Sequence, residues 1–153
     1  MRINSISHFL SAGVLAAVMS ATNVRADEVQ EVTLTPDATG LKFAQTAFTV
    51  KAGGKVKITF KNESPVPQPH NLLILVPGSI NEVGALANQM LTDPEAMKKS
   101  YIPESDKVLY SMPLINPTET GNLEFEAPAE AGEYPYICTF PGHWMTMRGV
   151  MTV

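Results

Sequence analysis

One cysteine, one tryptophan and three histidines are the whole supply of thiol, indole and imidazole in 153 residues. A lone cysteine excludes an internal disulfide, so in an exported chain Cys138 is buried, reactive or metal-bound. Charge is sparse as well. Only 17% of residues carry it, 11 basic against 15 acidic, for a formal net charge of −4. That acidic balance lacks the basic footprint that nucleic-acid binding requires. Long apolar runs are missing too: Phe9 to Met19 (FLSAGVLAAVM) is too short to span a bilayer as a permanent helix. Repeats and low-complexity linkers are absent. At this length, with 44% hydrophobic residues, the chain has room for one domain with one buried core.

What is present begins with a leader. Arg2 provides a positive start, the run Phe9 to Met19 follows, and Val24-Arg25-Ala26 puts small or aliphatic residues at the positions a signal peptidase inspects. Residues 1–26 are therefore expected to be a secretory signal and 27–153 the mature domain, starting at Asp27. No cysteine lies near the cut, which argues against a lipid anchor there. Cleavage removes Arg2 and Arg25 but no acidic residue, taking the formal charge from −4 to −6. It also removes His8, leaving His70 and His143 beside Cys138.

The mature chain reads mainly as strand. Val32 and Leu34 alternate with threonines. Phe48 and Val50, the turn Ala52-Gly53-Gly54, and Val56, Ile58 and Phe60 at period two read as a half-buried hairpin with lysines on the wet face. Leu72 to Val76 is a continuous apolar strand, and Val108 to Leu114, Leu123 to Phe125, Tyr134 to Cys138 and Val150 to Val153 complete about eight. Short strands separated by Gly, Pro and Asn predict a sandwich or barrel. One stretch departs from this. Ile80, Val83, Leu86, Ala87, Met90 and Leu91 fall at helical spacing, and Asp93-Pro94-Glu95 has the form of a second helix start. One or two short helices are expected there, with Met90 and Met97 as packing residues. Asn62-Glu63-Ser64 matches a glycosylation sequon by chance.

The chemistry is concentrated in Cys138-Thr-Phe-Pro-Gly-His143-Trp-Met145-Thr-Met147. A strand ends at Cys138, Pro141-Gly142 reverses the chain, and thiolate, imidazole and thioether fall within ten residues. Soft sulfur ligands with imidazole select copper. The second imidazole of a trigonal site can only be His70, which follows the stiff segment Pro65-Val66-Pro67-Gln68-Pro69. Each residue alone has an ordinary explanation, Cys138 as a buried small hydrophobe and His70 as a hydrogen-bonded turn residue. Together the only cysteine and both remaining histidines stand at ligand positions, and His₂Cys with a weak axial methionine is the blue-copper pattern. Met145 is too close in sequence to His143 for both to face one ion, and Met151 belongs to the last strand. Met147 is the axial candidate.

Residues 136–143, with Met147 and Gly149 after them, resemble the ligand loop of azurins and auracyanins, spaced Cys-x₄-His-x₃-Met, and His70-Asn71 resembles the upstream His-Asn of that family. The resemblance implies a cupredoxin: an all-β Greek-key sandwich of about eight strands with a short helical insertion, holding one copper at one end. It implies that Asn71 stitches the two ligand loops together, and that the backbone N–H groups of Asn71 and Phe140 point at the Cys138 sulfur. The chain departs from azurins at Pro69, where they carry a glycine, and in lacking their disulfide.

The expected function is therefore an exported carrier of single electrons, cycling one copper between Cu(II) and Cu(I), with metal ligands His70, Cys138, His143 and Met147. It is not expected to be an enzyme, since both mature histidines are used as ligands. Its expected partners are redox proteins such as c-type cytochromes or a membrane oxidoreductase. They would dock near His143, Trp144 and Met145, where the ring edge of His143 is expected to reach the surface. No nucleic acid and no membrane anchor after signal cleavage are expected, and the location is periplasmic or otherwise exported. A copper-delivery or storage protein, using Met145 and Met112 for exchange, and a small copper enzyme with an open coordination site are the alternatives.

Overall fold

The computed structural model describes residues 28–153, so the leader expectation and His8 lie outside the described residues. Eight strands form two sheets. The first orders β1 (Gln30–Leu34), β3 (Lys55–Lys61) and β6 (Thr120–Glu126) as β1-β3-β6. The second contains β2 (Ala47–Thr49), β4 (His70–Leu75), β5 (Val108–Ile115), β7 (Glu133–Ile137) and β8 (Arg148–Thr152), ordered β2-β8-β7-β4-β5. In β3 the residues Val56, Ile58 and Phe60 are buried, while the lysines between and around them stay wetter. Period two thus reads directly as two faces.

Buried residues from both sheets, among them Leu34, Ile58, Phe60, Leu72, Ile74, Tyr136, Met147 and Met151, form one core cluster. A second, smaller cluster joins Leu73, Leu75 and Ile137 to Val83 of α1 (Ile80–Gln89). The continuous apolar run of β4 has its explanation here. Leu72 and Ile74 face the sandwich, Leu73 and Leu75 face the helix, and both faces are dry.

Three expectations need correction. The hairpin of residues 48–60 does not form, because β2 pairs in parallel with β8 and β3 pairs with β1 and β6. The turn at Gly53 instead carries the chain from one sheet to the other, since alternation fixes which face is buried and leaves the partner open. One short α-helix forms as expected and runs on into a single 3-10 turn at Met90–Thr92, but the start read at Asp93 leads to no α-helix among the described residues. Asp93 accepts a hydrogen bond from the Glu95 backbone as a cap does (2.8 Å), but only turns follow, ending in Ser100 and Tyr101 at φ 55° and 53°. Finally, Met90 packs as expected but Met97 is 58% exposed.

The pairing of β4 with β5 brings the first candidate ligand into place. Opposite β4, the strand β5 carries an extra residue between the pairs His70–Ile115 and Leu72–Met112, and another between Ile74–Tyr110 and Leu75–Val108. Pro113, which has no N–H for a ladder, lies in the first irregularity. Bulges of this kind bend a strand and re-aim its side chains. His70 and Asn71 end up wholly buried at that end of the sheet.

Candidate metal centre

Cys138 lies just past the end of β7, His143 on the turn before β8, and His70 at the start of β4. The ligand loop closes on itself through its backbone. Cys138 N–H donates to the Met147 carbonyl (3.0 Å), Met147 N–H to the His143 carbonyl (2.7 Å), and His143 N–H to the Phe140 carbonyl (2.9 Å). Gly142 takes φ 82°, the left-handed conformation that lets the turn reverse. Met147 is wholly buried in the same core cluster as Cys138, while Met145 is 57% exposed.

The two imidazoles present the same atom to one sulfur. Cys138 Sγ lies 3.8 Å from His70 Nδ1 and 3.7 Å from His143 Nδ1, and the three donor atoms fall within 4.8 Å of one another. One thiol proton cannot serve two nitrogens at equal range. A shared cation can, because three donor atoms within 4.8 Å of one another can all reach one ion placed between them. The residues fit a copper ion, soft thiolate with imidazole being its donor set.

Burial sets the electrostatics. It pushes the Cys138 thiol up to about 12, and hydrogen bonds from the Phe140 and Asn71 backbone N–H groups pull the other way. Burial, and then the neighbouring His143, lowers His70 to about 4, and burial also lowers His143. Both rings are therefore neutral near neutral pH, the form in which imidazole binds metal. Around them, Asn71 joins three segments. Its amide nitrogen donates to the Ser100 carbonyl (2.7 Å) and Thr139 Oγ1 (2.8 Å), and its oxygen accepts from Thr139 N–H (2.7 Å).

The surface of this region differs from expectation. His143 is only 3% exposed, so its ring edge does not reach solvent. Gln68 Oε1 stands 2.9 Å from His143 Nε2, and the Phe140 ring meets the imidazole edge-on at 5.1 Å. Trp144 is half-buried: its ring lies over Gly84 of α1 and its Nε1 donates to Asn88 Oδ1 (3.0 Å). Gln68 is the residue that sequence reasoning missed. The Pro-rich segment before His70 was its one local signal.

The family model for copper-binding proteins of the plastocyanin/azurin family matches residues 30–153. Auracyanin-A of Chloroflexus aurantiacus is 44% identical over 114 residues, covering 74% of this chain and 67% of that protein. Auracyanin-B of the same organism is 35% identical over 126 residues, covering 80% of this chain and 51% of that longer protein. The solved structure of auracyanin A, titled a "blue" copper protein, superposes with a TM-score of 0.73 at 35% identity, covering 82% of this chain and 99% of that one.

Proposed function

This chain belongs to the plastocyanin/azurin family of copper-binding proteins and is an electron-transfer copper protein, and we propose that His70, Cys138, His143 and Met147 would hold its ion. The observation that carries the assignment is the near-equal approach of two Nδ1 atoms, 3.8 and 3.7 Å, to one buried sulfur. When bound there, copper would supply one-electron chemistry through its Cu(II)/Cu(I) couple. The chain supplies the rest. The N–H groups of Asn71 and Phe140 stabilise negative charge on the Cys138 sulfur. Complete burial of His70, Cys138 and Met147 keeps water from the donor atoms, and the Asn71–Thr139 bonds hold the two ligand loops at a fixed separation. A donor set that does not rearrange suits rapid transfer.

Residues 1–26 act on this reading as a secretory signal, and 27–153 as the exported cupredoxin domain, periplasmic or otherwise outside the cytoplasm. Among the described residues no helix is long and apolar enough to cross a membrane. The partners are redox proteins such as c-type cytochromes or a membrane oxidoreductase, meeting the loop that carries His143, Trp144 and Met145. The exposure of Met145 supports that site. Met112 is 2% exposed, which weakens its use as an exchange ligand in copper delivery.

The test is colour. The purified Cu(II) protein should absorb intensely through thiolate-to-copper charge transfer at one copper per chain, and Cys138→Ser should abolish the colour while the fold survives. The intact mass of the same exported material should correspond to a chain beginning at Asp27. A colourless wild-type complex at full copper loading contradicts the assignment.

A further inference from the structure

The ring of His143 is clamped by a side chain from a distant segment. Gln68 Oε1 lies 2.9 Å from His143 Nε2, and an amide oxygen can only accept, so the proton of this bond sits on Nε2. That choice decides what the other nitrogen can do. His143 Nδ1 faces Cys138 Sγ at 3.7 Å, and it offers a lone pair there only when Nε2 carries the proton. With the opposite tautomer a proton would stand between Nδ1 and the sulfur and close the site to a cation.

Gln68 is built to hold this position. Three prolines, Pro65, Pro67 and Pro69, restrict the backbone of its segment. Its N–H donates to the Val66 carbonyl (2.9 Å), and its carbonyl accepts from Asn62 Nδ2 (2.8 Å). Asn62 is 1% exposed, and the same amide nitrogen reaches the Ile115 carbonyl (3.0 Å), tying the segment to the end of β5. Gln68 is itself partly exposed and so forms the outer cover of a ring that sits on a surface turn yet is 3% exposed. His70 has no equivalent: among the described residues its Nε2 meets no protein acceptor.

We propose that Gln68 is a positioning residue that selects the Nε2–H tautomer of His143 and locks the ring with Nδ1 toward the donor set. This rests on the reading of His143 as a ligand. The experiment uses the copper-loaded mature protein reduced to Cu(I), which is diamagnetic, with its ring nitrogens labelled for NMR. In the wild type the His143 Nε2–H signal should be visible and slow to exchange with water. Gln68→Leu keeps the bulk and removes the acceptor, and should speed that exchange at least ten-fold. Gln68→Glu restores an acceptor and should return the protection. Equal exchange in the wild type and Gln68→Leu, or a proton found on Nδ1, overturns the proposal. So does loss of protection in Gln68→Glu, a test that stands even if Gln68→Leu folds poorly. If instead the wild type never takes up copper with colour, it is the ligand assignment that fails.

Discussion

Asn71 shows how much one residue can carry at this site. Its side chain bonds Ser100, and Thr139 twice, and Thr139 Oγ1 in turn donates to the Tyr101 carbonyl (2.7 Å). Ser100 and Tyr101 both take positive φ, a conformation that non-glycine residues adopt at a cost. The bonds from Asn71 and Thr139 are what hold those two carbonyls. Asn71→Leu preserves volume but leaves the Thr139 N–H and the Ser100 carbonyl without partners. Each buried orphan costs about 1–3 kcal/mol, so the variant should lose about 2–6 kcal/mol. A urea titration measures this as a lower midpoint at unchanged slope. Copper should still bind, because His70, Cys138, His143 and Met147 are all retained and the hydrogen bond to the Cys138 sulfur comes from the Asn71 backbone. A loss below about 1 kcal/mol contradicts this account.

Among the elements, α1 is tied to the ligand loop through a glycine. A Cβ built at Gly84 would stand 2.5 Å from Trp144 Cε3, so the indole can lie flat on the helix only because position 84 has no side chain. Two effects oppose each other in Gly84→Ala. Alanine gains about 1 kcal/mol of helix propensity, while overpacking costs about 1–3 kcal/mol. Trp144 is half-exposed and can swing out, which relieves the clash at the expense of its bond to Asn88. The net outcome should be a loss of about 1 kcal/mol with a red shift in the fluorescence of the chain's one tryptophan. Unchanged emission would show that the indole does not depend on this contact. The sequence carried some of these elements openly. All eight strands were legible from alternation and turn residues, and β4 from its unbroken apolar run. The partner of β2 was not, because Phe48 and Val50 declare a buried face and nothing about β8. The false second helix had a real cap at Asp93, but the left-handed Ser100 and Tyr101 that follow have no signature in residue type. At the site, the candidate ligands could be named because cysteine and histidine are so scarce. The burial of His143 could not, since its cover comes from Gln68, 75 positions away.

For the molecule as a whole, the remaining question is where a redox partner makes contact. The chain is acidic, with a formal net charge of −4, and the loop beside His143 presents Met145 at 57% exposure without a core to pack into. Contiguous apolar surface marks contact sites, Met145 stands here beside the partly exposed Phe140 and Trp144, and redox encounters use small, short-lived interfaces. Trp144 is a poor probe of this idea. It is bonded to Asn88 and lies over Gly84, so Trp144→Asp should cost stability and confuse the reading. Met145 is the clean one. Met145→Ser removes apolar contact without adding charge, and Met145→Lys adds a cation that a basic partner would repel. A loss of about 1 kcal/mol of docking energy corresponds to roughly five-fold slower exchange. Stopped-flow mixing of the copper-loaded protein with a c-type cytochrome should show about that slowing for Met145→Ser, and more for Met145→Lys at low salt. The excess in Met145→Lys should shrink as salt screens the added charge, while the Met145→Ser deficit persists. The copper spectrum should stay unchanged in both, because Met145 is not among the residues proposed to hold the ion. If both variants exchange electrons at the wild-type rate with their colour intact, the Met145 face is not the port. Partners would then have to approach the His143 ring from the Gln68 side instead.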